Sequence, residues 1–242
     1  SITIASSEDK NFNYIPKNYS LENNIDYFHV TSNNTIFGTQ IKNFYNGEIP
    51  LACDMSSDIF SRKINIEDFD LIYAGAQKNM GPAGTTLYIC KKEIFGKSSV
   101  PIPTMLDLKT HSDKDSMFNT PPVFPIYASM LNLRWLKRIG GLSYIEEQNE
   151  KKSELIYNQI DNSSLFLGTA NKEDRSSMNV TFTLTNDALN ETFNKMLVQA
   201  NINGLKGHRS VGGFRASMYN AMPFESVSIL VDIMKELENK KG

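Results

Sequence analysis

The chain has 242 residues, 40% hydrophobic and 21% charged, with a formal net charge of −2. That composition belongs to a globular protein long enough for one large domain or two small ones. Near-neutral charge gives no reason to expect nucleic acid or an anionic membrane as partner, and no apolar run approaches the length of a bilayer span.

In chain order, Ser1 to Ala5 reads as a strand entered at once, without a leading cap, an initiator methionine or a secretory signal. That start predicts a fragment, or a chain whose N-terminal part is absent. Residues 6 to 24 are polar and read as a surface excursion. Tyr27 to Thr31 is a strand by its aromatic and β-branched content. Ser32 to Gly38 follows as a turn, in which the Thr35 hydroxyl either caps the turn or is offered at the strand end. Residues 41 to 48 form a loop. Ile49 to Asp54 is a short apolar run ending in a carboxylate, with Asp58 four residues on. Leu71 to Ala74 and Leu87 to Cys90 read as buried strands bounded by Gly and Pro.

Lys91 to Asp115 is irregular. Asn119 and Thr120 then precede two prolines, which hold them extended in a loop before a helix. Pro125 to Ile139 is that helix, and it stops at Gly140-Gly141. A domain boundary is placed there, giving segments 1–140 and 141–242. Leu142 to Ile160 is a second helix, whose charge run Glu146 to Lys152 is expected to be a solvated face. Met178 to Leu184 alternates and predicts a half-buried strand. Asp187 to Ala200 and Pro223 to Lys240 are amphipathic helices. The pattern is α/β: a mixed, mainly parallel sheet, followed by a small α+β domain. Cys53 and Cys90 could pair, but both sit in apolar runs and read as free thiols in a reducing cytosol. His29, His111 and His208 lack metal-ligand spacing, so no metal is expected.

The chemistry concentrates between the two strands at 71–74 and 87–90. Their loop carries Gly75, Gly81, Pro82, Gly84 and a single lysine, Lys78. An exposed lysine in a tight turn is one reading. The other is an amine at the mouth of a sheet, where desolvation lowers its pKa and makes it a nucleophile able to form a Schiff base with an aldehyde cofactor. Asp54, at another strand end, is the partner such a cofactor needs, because a carboxylate keeps a pyridine nitrogen protonated. Lys78 and Asp54 together therefore suit pyridoxal 5′-phosphate. Downstream, Lys206-Gly-His-Arg-Ser-Val-Gly-Gly-Phe-Arg215 is either a basic loop or an anion site. Strand alternation would put Arg209 and Arg215 on one face unless the Gly-Gly pair bulges between them. Two guanidiniums suit a substrate with two anionic ends.

The runs Ala52 to Arg62, Tyr73 to Gly84 and Lys206 to Pro223 resemble the phosphoserine aminotransferase family of fold-type I pyridoxal phosphate enzymes, and the resemblance extends from about Tyr27 to the C-terminus. It implies a fold-type I large domain plus the small C-terminal domain. It also implies transamination between phosphoserine or 3-phosphooxypyruvate and glutamate or 2-oxoglutarate in serine biosynthesis, with a further link to pyridoxine biosynthesis. Lys78 would carry the cofactor and move the proton, and Asp54 would pair with the pyridinium. Thr35 and Gln77 would contact the cofactor. Asn119 and Thr120 would reach across a homodimer to the partner's cofactor phosphate. Arg215 would bind the substrate α-carboxylate, and His208 with Arg209 the substrate phosphate. The expected location is the cytoplasm. The family's N-terminal part, with a phosphate-cupping turn, a ring-stacking aromatic and part of the substrate phosphate site, has no counterpart here. An aminotransferase of the alanine–glyoxylate type and a non-catalytic cofactor-binding fragment are the alternatives. The His208-Arg209 pair argues against the former.

Overall fold

The computed structural model describes residues 1–22 and 24–240. The first strand, β1 (Phe28–Thr31), leads into a short hairpin, β2 (Asn33–Asn34) and β3 (Thr39–Gln40). Then come β4 (Leu51–Asp54), β5 (Leu71–Gly75) and β6 (Thr86–Cys90). They form one sheet in the order β1-β4-β5-β6, in which β1, β4 and β5 are parallel and β6 is antiparallel to β5. The apolar residues that predicted β4 and β5 explain this arrangement. Leu51, Cys53, Ile72 and Ala74 are buried together with Ile59, Phe69 and Met80 in one hydrophobic cluster.

The second half is built on α1 (Leu108–Ser112), α2 (Val123–Arg138) and α3 (Gly141–Asp161), then β7 (Phe166–Gly168), β8 (Asn179–Leu184), α4 (Asn190–Gln199), β9 (Phe214–Ser217) and α5 (Phe224–Asn239). β7, β8 and β9 make an antiparallel sheet with β8 in the middle. Phe166, Phe182, Phe193 and Phe214 interlock in its core, the last two with ring centroids 4.9 Å apart. Helix α5 lays Val227, Leu230, Val231, Met234 and Leu237 against the same core, the spacing that predicted it.

Five expectations are corrected. Ser1–Ala5 is not a strand, because no ladder partner lies beside it among the described residues. Lys91–Asp115 is not wholly irregular, since Asp107 caps α1 by accepting from the Lys109 amide. Leu87–Cys90 is a strand but not a buried one: β6 is the sheet's edge, with Tyr88 51% exposed. β8 is buried on both faces, not one. Its polar face meets the β2–β3 hairpin, where Asn33 Nδ2 donates to Asn179 Oδ1 at 2.8 Å and Thr181 Oγ1 to the Phe37 carbonyl at 2.9 Å. Finally, the charge run in α3 is not wholly solvated. Lys152 is only 1% exposed, and its Nζ donates to the carbonyls of Met218, Tyr219 and Met222 at 3.3, 3.1 and 3.2 Å. The loop after β9 turns these carbonyls toward the helix, and a buried ammonium must find acceptors.

Candidate active site

Because β1, β4 and β5 are parallel, their carboxyl ends share one edge. Thr31 lies opposite Asp54, and Asp54 opposite Tyr73. Asp54 Oδ1 accepts from the Ser56 amide at 2.8 Å, and Ser56 Oγ accepts from the Gly75 amide at 3.0 Å. The loop carrying Asp54 is thereby tied to the start of the turn carrying Lys78. That turn is closed by the amides of Met80 and Gly81, both donating to the Ala76 carbonyl. It packs against α2 so closely that a Cβ at Gly81 would stand 2.3 Å from Ser129 Oγ, so only glycine fits there.

The Lys78 amine is half-buried. Its pKa is lowered, by burial above all; Asp54 opposes that shift, Arg215 adds to it, and Asp58 opposes it. These groups therefore act on one another across one site. Arg215, on β9, donates from Nη1 to the Thr35 carbonyl at 3.0 Å, which brings the small sheet to the strand-end edge. Asp58 is itself buried, accepting from Ser32, from Gln40 Nε2 at 3.1 Å and from Arg62 Nη2 at 3.2 Å. Its hydrogen bonds are spent on holding the loop.

The structure thus brings together Thr35, Asp54, Lys78 and Arg215. Gln77 adjoins them, exposed and folded over Gly75, where a Cβ would lie 2.5 Å from Gln77 Oε1. Asn119 and Thr120 are exposed, and Asn119 Nδ2 donates only as far as the Thr120 carbonyl, at 3.1 Å. His208 and Arg209 sit on a hairpin tip, closed by the Gly207 amide donating to the Gly213 carbonyl at 2.9 Å. His208 Nδ1 pairs with Ser210 Oγ at 2.7 Å, and Arg209 is exposed. Of the two arrangements left open by the sequence, the structure has the one in which the Gly-Gly pair breaks the strand alternation between Arg209 and Arg215. Arg209 lies in the tip and Arg215 in β9, because the glycines turn the chain between them.

Pyridoxal phosphate fits this donor set. Among the described residues the Lys78 amine has no hydrogen-bond or ion-pair partner, although it is half-buried beside a carboxylate. An amine so placed is available to an aldehyde.

The class-V aminotransferase family matches residues 3–230. Phosphoserine aminotransferase of Flavobacterium psychrophilum is 63% identical over 239 residues, covering 99% of this chain and 67% of that protein. The one from Flavobacterium johnsoniae is 58% identical, with the same coverage. Among solved structures, phosphoserine aminotransferase from Bacillus circulans subsp. alkalophilus superposes with a TM-score of 0.96 at 44% identity, covering 100% of this chain and 68% of that one.

The chain belongs to the phosphoserine aminotransferase family. Enzymes of this family are class-V aminotransferases and carry out pyridoxal phosphate-dependent transamination. The chain spans about two thirds of the length of the curated relatives it matches. At this candidate site, sequence reasoning passed over Tyr73. Its hydroxyl lies beside Asp54 and 3.0 Å from His29 Nε2, and burial first, then the Asp54 charge, push its pKa up. The strand period was the available signal, since Tyr73 precedes Gly75 by two and shares its face.

Proposed function

We propose that this chain carries the machinery for transamination between phosphoserine or 3-phosphooxypyruvate and glutamate or 2-oxoglutarate in serine biosynthesis, with Lys78 as the catalytic lysine. The observation that carries the reading is the half-buried Lys78 amine, which has no partner among the described residues and whose pKa feels both the Asp54 carboxylate and the Arg215 guanidinium. Pyridoxal phosphate, when bound, supplies an aldehyde carbon and an electron sink. Asp54 would hold a proton on its pyridine nitrogen, with Ser56 fixing the carboxylate. Lys78 would hold the aldehyde carbon and, once displaced by the substrate amine, take a proton from the substrate Cα as base and deliver it as acid to that carbon, C4′. Thr35 and Gln77 would orient the cofactor. Arg215 would grip the substrate α-carboxylate, and His208 with Arg209, on their hairpin tip, the phosphate.

The same reading takes the protein as a cytoplasmic homodimer in which Asn119 and Thr120 serve the partner's site, with a second role in pyridoxine biosynthesis. The exposed apolar side chains flanking that loop, Met117, Phe118, Val123, Phe124 and Tyr127, support a covered surface there. Two hydrophobic clusters support a division into segments 1–140 and 141–242.

The catalytic assignment is tested on cofactor-loaded full chain. Borohydride should bleach its visible band and fix cofactor mass on the Lys78 peptide, and labelling elsewhere would reject the assignment. The shared site is tested in heterodimers pairing Lys78→Ala with a chain carrying Asn119→Ala and Thr120→Ala. About half of wild-type activity should return, because a two-fold dimer then has one intact site. Activity staying at the mutants' level would place each loop in its own chain's service.

A further inference from the structure

Asn79 directly follows Lys78, yet its side chain points away from the site. It is buried, and its Oδ1 accepts from the Asn220 amide at 2.9 Å. Asn220 lies in the loop that leaves β9, the strand of Arg215. Its own side chain donates from Nδ2 to the Phe60 carbonyl at 2.9 Å, while its Oδ1 accepts from Asn149 Nδ2 at 2.9 Å. Asn149 Nδ2 also donates to the Ser61 carbonyl at 3.1 Å. One helical turn on in α3, Lys152 gathers the carbonyls of Met218, Tyr219 and Met222 from the same loop. On the other side, Asn132 Nδ2 of α2 fixes the carbonyls of Asn79 and Met80 at 2.8 and 3.0 Å.

This is a continuous polar path between the two hydrophobic clusters. It begins at the residue after the lysine and ends in the loop that leaves β9, three residues past the arginine at its nearest, Met218. Phe60 shows that the path constrains the backbone. It is held at φ +58°, a conformation an aromatic L-residue adopts only when its surroundings over-determine it, and its carbonyl is an acceptor within the path.

We propose that Asn79, Asn149, Asn220 and Lys152 form a strut that sets the separation between the Lys78 amine and the Arg215 guanidinium, which makes them positioning residues for the amino-acid substrate. A substrate whose carboxylate is gripped by Arg215 must present its amine and Cα to Lys78, so that separation decides how squarely the reacting atoms meet. The inference rests on the reading of Arg215 as the α-carboxylate site.

The test measures coupling rather than activity alone. In cofactor-free full chain, lysines reductively methylated with ¹³C report the Lys78 pKa by NMR titration. Arg215→Met should raise that pKa, because a like charge is removed. In the Asn220→Ala background, and again in the Lys152→Met background, the same substitution should raise it less than half as much. The penalty that Arg215→Met places on glutamate kcat/KM in loaded enzyme should shrink in parallel. Should Asn220→Ala not fold, Lys152→Met carries the comparison, since it keeps the length of the side chain and lies remote from the site. An equal pKa rise in all backgrounds would overturn the strut while leaving the site reading intact. If Arg215→Met moves neither the Lys78 pKa nor the glutamate KM, the site reading falls and the strut with it.

Discussion

Lys78 and Lys152 are both withdrawn from water, and burial lowers the pKa of both. Their surroundings differ. Lys78 is half-buried at a strand-end edge, among two carboxylates and a guanidinium, with no fixed partner among the described residues. Lys152 is enclosed in a helix, and all its hydrogen bonds go to backbone carbonyls. Both amines would look basic and weakened on burial alone. What separates a reactive amine from a structural one is whether its donors are already committed.

The comparison is broken most directly at Lys78. Lys78→Ala removes the proposed base and should lower turnover by roughly a thousand-fold, within the range typical of a positioned acid–base group. Borohydride should label no lysine in that variant, whereas Lys152→Met should still be labelled on the Lys78 peptide. Labelled Lys152 would erase the distinction.

Next come the charges around Lys78. Arg215→Ala should weaken both phosphoserine and glutamate by about 2 to 5 kcal/mol, the cost of truncating a buried charge-assisted pair. Arg209→Ala should weaken phosphoserine much more than glutamate, read as kcat/KM for each. Equal losses on Arg209→Ala would remove the hairpin tip from phosphate binding.

Lys152 is read through stability. Lys152→Ala orphans three carbonyls and opens a cavity, and should cost about 3 kcal/mol in urea unfolding. A cost below about 1 kcal/mol would mean that water satisfies the loop as well as the ammonium does.

Last comes its pH dependence. Burial pushes the folded-state pKa of Lys152 down to about 8, from 10.5. Between those values the unfolded chain binds the proton that the folded chain has released, so this group makes stability rise with pH. Lys42, likewise lowered to about 8, adds the same sign. Subtracting the Lys152→Met profile from wild type isolates the Lys152 contribution, and a flat difference from pH 8 to 10.5 would contradict the assigned burial.

The sequence makes the strand-end edge readable because short apolar runs that end in Asp54 and at Gly75 have few other ways to fold. Lys78 and Asp54 follow from that pattern, and Thr35 and Arg215 from their places in motifs. The rest is tertiary. Lys152 lies in a run of charges whose helical period gives no hint of burial, since the loop that covers it comes some seventy residues later. β8 reads as half-buried because its partner hairpin is separated from it by most of the chain. Asn79 and Asn220 carry no pattern at all, because polar side chains that bond to backbone leave no periodic trace. Strand alternation alone could not decide how Arg209 and Arg215 face, because it holds only for an extended chain and the Gly-Gly pair between them allows a turn.

That tip has a consequence for descent and redesign. Residues 208–212 hang beyond the contact between the Gly207 amide and the Gly213 carbonyl. A Cβ at Gly207 would stand 1.9 Å from the Gly212 carbonyl oxygen, so the clasp itself tolerates little variation. Within the tip the amides of Val211 and Gly212 donate to the His208 carbonyl, so it closes on itself rather than on β9. If the tip holds the substrate phosphate as proposed, substrate address and reaction chemistry would lie on separable pieces of chain, and exchanging a few residues of tip would redirect the enzyme while Lys78, Asp54 and Arg215 stay where they are.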